Sequence, residues 1–132
     1  MPEFALAKPK TGEYKKKGSS FHAISQPATS IDYIKSILLT FKEQFPDSSH
    51  ICYAYRMKKG KSLNEFASDA DEPNGSAGTP ILNVLKRNQI INAVIFVIRY
   101  FGGTKLGVPS LILAYGTAAE DAIENAESKA MA

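Results

Sequence analysis

Apolar residues recur along the chain with two kinds of spacing, and each kind predicts a different element. From residue 31 to residue 45 they follow the helical period, which predicts a helix that Ser30 caps and that ends before Pro46. The same period predicts helices over residues 80–88 and about 108–125. Alternating or continuous apolar runs predict four strands, over residues 19–24, 51–57, 62–67 and 92–100.

The predicted element order is β-α-β-β-α-β-α, and it defines the expected fold class. The hairpin in the middle interrupts strict alternation of strands and helices, so the order predicts an α+β protein, a two-layer arrangement with the helices on one face of a sheet. Residues 1–17 are polar and rich in lysine and proline, which predicts a flexible N-terminal arm. Residues 18–132 are then expected to form a single domain.

Composition narrows the class of protein. With 132 residues, 44% hydrophobic and 22% charged, the chain has the composition of a globular domain. No apolar run is long enough for a membrane helix, and the first residues lack the apolar centre of a signal peptide. A single cysteine excludes an internal disulfide and suits a reducing compartment, so we expect a cytoplasmic protein without membrane contact.

Positive charge is clustered although the net charge is only +3. One cluster of lysines lies between residues 8 and 17, and a second includes Arg56, Lys58, Lys59 and Lys61. These clusters are compatible with contacts to phosphate groups. Ordinary solubilising lysines are the favoured alternative, because aromatic residues are not regularly interleaved with them.

The strongest candidate for chemistry is the segment NAVIFVIRYFGGTKLG at residues 92–107. It predicts a strand, a glycine turn at Gly102, Gly103 and Gly107, and then a helix, with Arg99 and Lys105 on the two sides of the turn. Backbone amides at such a junction can converge on an anion. Alternatively, Arg99 pairs with a nearby carboxylate such as Asp69 or Glu72, and the glycines only reverse the chain.

A second candidate is the acidic loop SDADEPNGSAGTPIL at residues 68–82. It carries Asp69, Asp71 and Glu72, followed by small residues, and Thr79 is predicted to cap the helix that Pro80 begins. The two glycine-containing loops both lead into helices, and we expect parts of them to share one surface. The three carboxylates could bind a divalent cation, but the spacing is not that of an EF-hand. Turn formation and the favourable placement of acids near a helix start explain them adequately and are the favoured alternative.

His50 and Cys52 are the remaining candidates. His50 either acts on protons in a site or is held by hydrogen bonds at a strand edge. Cys52 lies among apolar neighbours and is expected to be a buried small residue and not a nucleophile. The chain contains neither GxxxxGK[ST] nor GxGxxG, so no nucleotide cofactor is expected.

Three phrases, HICYAYR (residues 50–56), SDADEPNGSAGTPIL and RYFGGTKLG, occur here in one order. Together they resemble the YigZ/IMPACT family, whose bacterial members carry HNCYAYR, SDDGEPSGTAGxPIL and RYFGGIKLGxGGL. The resemblance implies a fold like the second domain of ribosomal protein S5 and a regulatory link to translation. This chain departs from the pattern at Ala70, Asp71, Pro109 and Ser110. Bacterial members often carry a second, ferredoxin-like domain, which we expect this chain to lack.

The sequence therefore leaves two functional hypotheses. The first is a non-enzymatic, translation-linked domain that recognises a protein or RNA phosphate; the alternative is a small metal-dependent phosphoester hydrolase with His50 as base and Asp69, Asp71 and Glu72 at the metal. The oligomeric state stays open. The residues expected at the contact surface are His50, Arg56, Asp69, Asp71, Glu72, Gly75, Gly78, Thr79, Arg99, Gly102, Gly103, Lys105 and Gly107.

Overall fold

The computed structural model describes residues 2–124 and 128–131. Five strands form an antiparallel sheet in the order β2-β3-β6-β4-β5, and β1 pairs separately with β7. The predicted α+β class is confirmed. In chain order the elements are β1 (Glu3–Leu6), β2 (Lys10–Lys16), β3 (Ser19–Pro27), α1 (Ile31–Gln44), β4 (His50–Lys59), β5 (Ser62–Ser68), α2 (Gly78–Arg87), β6 (Ala93–Tyr100), α3 (Val108–Glu124) and β7 (Ser128–Met131).

Strand β6 is the centre of the sheet. It pairs with β3 along one side and with β4 along the other, and every residue from Ala93 to Arg99 is buried. A strand that is apolar on both faces must be covered on both faces. The continuous apolar run of β6 therefore fixes the position of the helices around it.

Helices cover the two faces of the sheet unequally. The prediction that the helices share one face holds for α2 and α3, which pack on the side of Ala93, Ile95 and Val97. Helix α1 instead lies on the opposite side, where Ile34 and Ile37 join the core cluster that contains Val94, Phe96 and Ile98. The reason is the second apolar face of β6, which the predicted two-layer arrangement would leave in water.

This placement has a consequence for the chirality of the fold. The β3-α1-β4 and β5-α2-β6 connections each join parallel strands that are separated by one intervening strand, and they cross the sheet in opposite directions. The two connections also start from strands that run in opposite directions. They therefore have the same hand only when their helices lie on the same face of the sheet. Because α1 and α2 lie on opposite faces, one connection is left-handed, which is rare for parallel strands.

The predicted flexible arm at residues 1–17 is wrong for residues 3–16. Strand β2 pairs with β3 along its whole length, and Leu6 is buried in the core. Gly12 packs so closely on α3 that an added Cβ would lie 2.3 Å from the Ala122 nitrogen. The lysines in and beside β2 conceal the strand in the sequence, because they give the segment the composition of a disordered tail.

The helix boundaries agree with the sequence at several ends. Ser30 caps α1 as predicted, since the Tyr33 amide donates to its side-chain oxygen at 3.1 Å. The predicted end of the last helix, residue 125, lies outside the described residues. Within the described residues, no helix combines the length and the apolar character that crossing a bilayer requires.

Candidate functional site

The acidic loop and the glycine turn meet at a buried ion pair. We call residues 69–77 the acidic loop and residues 101–107 the glycine corner. The Arg99 Nη1 nitrogen donates to both oxygens of the Glu72 carboxylate, at 2.9 and 2.7 Å. Glu72 is 8% exposed and Arg99 is 5% exposed. Of the two sequence-based alternatives for Arg99, pairing with a loop carboxylate is the one observed, so its charge is already neutralised.

Two hydroxyl groups extend this ion pair into a network. The Tyr115 hydroxyl of α3 donates to the Glu72 carboxylate. Ser19, at the start of β3, accepts from Arg99 Nη2 at 3.3 Å and from the Gly102 amide at 3.1 Å. Among the described residues, Arg99 Nε is the one buried side-chain nitrogen or oxygen without a partner. The network thus joins β3, β6, α3 and the acidic loop beneath the glycine corner.

Aromatic rings pack against the arginine of this network. The Arg99 guanidinium carbon lies 5.4 Å from the centre of the Phe21 ring and 5.6 Å from that of Phe101. Such cation–π contacts add to the ion pair that holds the side chain. Phe21 is fully buried, whereas Phe101 is 51% exposed. The network therefore supports an aromatic ring that stands at the surface.

Burial keeps the neighbouring thiol and phenol protonated. Burial raises the pKa of the Cys52 thiol to about 12, and its sulfur donates to the Asp69 carbonyl oxygen at 3.2 Å. Burial is also the main reason that the pKa of Tyr115 is raised, followed by the influence of Cys52 and Glu72. A thiol with so high a pKa is a poor nucleophile at neutral pH. Cys52 is thus a packing residue, in agreement with the sequence.

The raised thiol pKa predicts a specific loss of stability at alkaline pH. Because the pKa of Cys52 is about 12 in the folded chain and usually 9.0, its contribution is complete below pH 9.0 and is lost as the pH rises towards 12. We expect the free energy of unfolding to fall less steeply over that range in a Cys52→Ala variant. Urea denaturation at a series of pH values measures both slopes, and equal slopes would contradict the buried-thiol explanation.

His50 is held by a hydrogen bond at one ring nitrogen. Nδ1 lies 2.7 Å from the Ala70 carbonyl oxygen, so it donates there, and Nε2 lies 3.4 Å from Glu72 Oε1. The contact at Nε2 is too long for a normal hydrogen bond and brings the ring close to the Glu72 carboxylate. The ring is therefore held in place through Nδ1. This geometry matches the alternative of a histidine held by hydrogen bonds at a strand edge.

Asp69 organises the acidic loop from within. Its carboxylate accepts hydrogen bonds from the amides of Gly75 at 2.9 Å, Ala77 at 3.2 Å and Gly78 at 2.8 Å. The prediction that Thr79 caps α2 is wrong, because the helix begins at Gly78 and Asp69 satisfies its first amides from across the loop. Thr79 is exposed in the first turn.

Gly78 explains why the helix begins at that point. A Cβ added there would lie 2.6 Å from the Ser68 nitrogen, so the helix start approaches the end of β5 more closely than another residue would allow. Gly75, by contrast, has a φ of +78° and faces open space. The two glycines of the acidic loop therefore have different roles, one in close packing and one in the turn.

The departures from the family pattern in the acidic loop fall on strained backbone. Ala70 and Asp71 have φ of +45° and +71°, a region that glycine occupies at lower cost. The family pattern has Asp and Gly at these positions. Asp71 is exposed and lines a cleft whose lining also includes Lys42 and Pro46.

Replacing Asp71 by glycine should relieve this strain. We expect Asp71→Gly to raise the free energy of unfolding by roughly 0.5 kcal/mol. Glycine avoids the steric cost of the left-handed backbone, but it loses more conformational entropy on folding, which offsets part of that gain. Asp71→Val is the opposing control, because a β-branched residue tolerates positive φ poorly. Denaturation curves in which glycine lowers stability relative to the parent would show that the aspartate makes a contact that compensates for the strain.

Other predicted contact residues lie away from the glycine corner. Arg56 donates to Glu65 at 2.8 Å and to the Ile90 carbonyl at 3.2 Å, at the end of β4 opposite to His50. Gly75 and Thr79 line a cleft between α2 and α3. The residues predicted for one contact surface therefore lie in several places: the buried network, the acidic loop with the start of α2, the cross-strand ion pair of Arg56, and the glycine corner.

The glycine corner is the exposed part of the set. Gly102 packs against the β2–β3 turn, and an added Cβ would lie 2.0 Å from the Gly18 carbonyl carbon. Gly103 and Gly107 have φ of +88° and +81° and face open space, and Lys105 is exposed. A cleft of about 420 Å³ opens beside the corner. Its lining includes His50, Pro73, Phe101, Lys105, Val108 and Leu111.

The carboxylates of the acidic loop do not form a metal site. Glu72 is bound to Arg99, Asp69 is bound to amides of its own loop, and Asp71 faces solvent. Within residues 2–124, no group of three or more His, Cys, Asp or Glu side chains could hold a metal ion. The residues named for the metal in the hydrolase hypothesis are therefore directed at different partners.

Tyr115 and Ser19 were missed as site residues. Tyr115 lies within the last predicted helix, over about residues 108–125, and was not among the residues expected at the contact surface. A tyrosine on the buried side of an alanine-rich helix requires a partner for its hydroxyl group, and that requirement was a usable signal. Ser19 gave no comparable signal, because a serine at the start of a strand is common at exposed positions.

Comparison with known proteins gives consistent similarities. A sequence model of the Impact N-terminal domain matches residues 17–123. An IMPACT family member from Thermus thermophilus is 37% identical over 108 residues, which cover 82% of this chain and 56% of that protein. The chain spans about half the length of several of the curated relatives it matches.

Two solved structures resemble this fold. A crystal structure described as a hypothetical protein has a TM-score of 0.90 and 26% identity, over 98% of this chain and 64% of that chain. The two-domain translational regulator Yih1 has a TM-score of 0.51 and 23% identity, over 93% of this chain and 47% of that chain. The second likeness concerns the fold alone.

Proposed function

The chain belongs to the IMPACT family, through the Impact N-terminal domain that spans most of it, and on this premise we propose that it is a non-enzymatic regulatory domain that acts on translation in the cytoplasm. It recognises its partner through the glycine corner. The link to translation is part of this proposal, and it is suggested by Yih1, a protein of similar fold that is described as a two-domain translational regulator. The corner supplies the contact surface.

One observation carries the proposal: the reactive side chains are used internally, whereas the corner above them is exposed. Glu72, Arg99 and Tyr115 bind one another, and His50 donates through Nδ1 to the Ala70 carbonyl oxygen. Phe101 is half exposed, and no carboxylate among the described residues pairs with Lys105. A rigid polar base below an exposed aromatic and a cation suits recognition better than turnover.

The hydrolase alternative lacks comparable support. A divalent cation would need carboxylate oxygens that converge on it. Asp69 is instead bound by three amides and Glu72 by Arg99. Two of the three carboxylates that this reaction would need are therefore engaged in holding the acidic loop.

A cell-free translation assay tests the proposal. We expect the purified protein to change the rate of reporter synthesis in proportion to its concentration, and a Phe101→Ser/Lys105→Gln variant to lose that effect. Leu63→Ser/Lys61→Gln is the matched control, because Leu63 and Lys61 are likewise exposed but lie at the β4–β5 hairpin. Equal effects of both variants, with both still folded by circular dichroism, would refute the role of the corner.

A further inference from the structure

The strand missed in the sequence brings a second group of lysines to the glycine corner. Lys17 and Gly18 form the turn between β2 and β3, and Gly18 lies directly against the backbone of Gly102. The Gly102 amide also donates to Ser19, next in the chain. Segments that lie more than 80 residues apart are thereby joined into one surface.

This surface carries three cations without a carboxylate partner among the described residues. Lys16, Lys17 and Lys105 are exposed, and none takes part in the ion pairs of residues 2–124. Each lies within three positions of the Gly18–Gly102 contact. The nearest carboxylate in the hairpin, Glu13, is 3.2 Å from Lys15 and compensates that lysine instead.

The backbone of Lys17 indicates that this position is not chosen for stability. Lys17 and Gly18 have φ of +48° and +84°, the pattern of a two-residue turn in which asparagine followed by glycine is favoured. A lysine there strains the backbone. Strain that is retained at an exposed tip is a sign of function.

An aromatic ring completes the surface. Phe101 is 51% exposed and rests on the Arg99 guanidinium, which holds it in place. Among the described residues, the amides of Gly103, Thr104 and Lys105 have no hydrogen-bond partner, so they remain available to an acceptor oxygen. Cations around an exposed ring are the arrangement by which proteins bind single-stranded nucleic acid, through phosphate contacts and base stacking.

We propose that Lys16, Lys17, Lys105 and Phe101 form a binding site for single-stranded RNA, with the lysines on phosphates and Phe101 stacked on a base. This inference rests on the proposed function, because it names the partner class of the same corner. The lysines would contact phosphates, which are the same at every nucleotide, and an aromatic ring can stack on any base. We therefore expect the site to bind RNA with little sequence preference.

Fluorescence anisotropy with a labelled oligouridylate of about 12 nucleotides tests the site. For three phosphate contacts, the slope of log K against log salt should be about −2. A Lys17→Asn/Lys105→Gln variant should bind on the order of tenfold more weakly and reduce the slope to about −0.7. Lys17→Asn is also expected to preserve or raise the melting temperature, because asparagine suits the turn.

The matched control is Lys59→Gln/Lys61→Gln, which removes the same charge from the exposed β4–β5 hairpin at the other end of the sheet. Its affinity should stay close to that of the parent. Absent binding, equal weakening by the two variants, or equally effective competition by oligoglutamate of the same length would overturn the RNA site. A further outcome is that the protein does not bind RNA while the Phe101→Ser/Lys105→Gln variant still loses the effect on translation. In that case the RNA site is refuted, and the proposed function stands with a different partner.

Discussion

Replacing Glu72 by alanine should lower the free energy of unfolding by about 3–5 kcal/mol, the cost of leaving a buried charge without its partner. Arg99 is 5% exposed, and its Nη1 nitrogen donates to both Glu72 oxygens. The Tyr115 hydroxyl would lose its acceptor at the same time. Urea denaturation followed by circular dichroism measures the loss.

Two variants separate the buried ion pair from ion pairs in general. Glu65→Ala removes the partner of Arg56, a pair in which the glutamate side chain is 29% exposed, so we expect a loss of only about 0.2–1 kcal/mol. Glu72→Leu/Arg99→Met removes both charges and should cost less than Glu72→Ala alone. A loss at Glu72 no larger than the loss at Glu65 would contradict the role assigned to the network.

Replacing Gly102 by alanine should be similarly damaging, for a steric reason. The added Cβ would lie 2.0 Å from the Gly18 carbonyl carbon and 2.3 Å from the Ser19 nitrogen. Both atoms belong to backbone, so the β2–β3 turn would have to move. We expect the free energy of unfolding to fall by about 3 kcal/mol or more.

The neighbouring glycine provides the comparison. Gly103→Ala adds a Cβ in open space at a φ of +88°, so only the backbone preference is lost, about 1 kcal/mol. Thermal or chemical denaturation of the two variants should therefore rank Gly102 well above Gly103. If the two losses are equal, the contact between the corner and the β2–β3 turn is looser than the structure indicates.

Local periodicity predicted most of the fold because most elements are patterned for one environment. The apolar stripe of α1, the alternation of β4 and the buried run of β6 each identify their element. Strand β2 was missed because three of its seven residues are lysines, and the buried side of the strand offers only a glycine and a partly buried tyrosine as a pattern. The left-handed connection could not be predicted, since local spacing does not show which face a helix covers.

The candidate site, like the fold, could be predicted only in part from the sequence. The sequence identified the two loops and the alternative in which Arg99 pairs with a carboxylate. It could not decide between Asp69 and Glu72, because both lie in one short loop and only the fold shows that Asp69 turns to the amides of α2. The convergence of Lys17 with Lys105 depended on β2, so it was missed together with that strand.

The most direct test of the glycine corner as a recognition surface is site-specific photocrosslinking. Phe101 is replaced by p-benzoylphenylalanine, with the same replacement at Phe66 as control, since Phe66 is exposed to a similar degree on the edge strand β5. After irradiation in a translating extract, the products are identified by mass spectrometry. We predict crosslinks from position 101 to components of the translation apparatus that are absent from position 66; the same products from both positions, or none from position 101, would contradict the account.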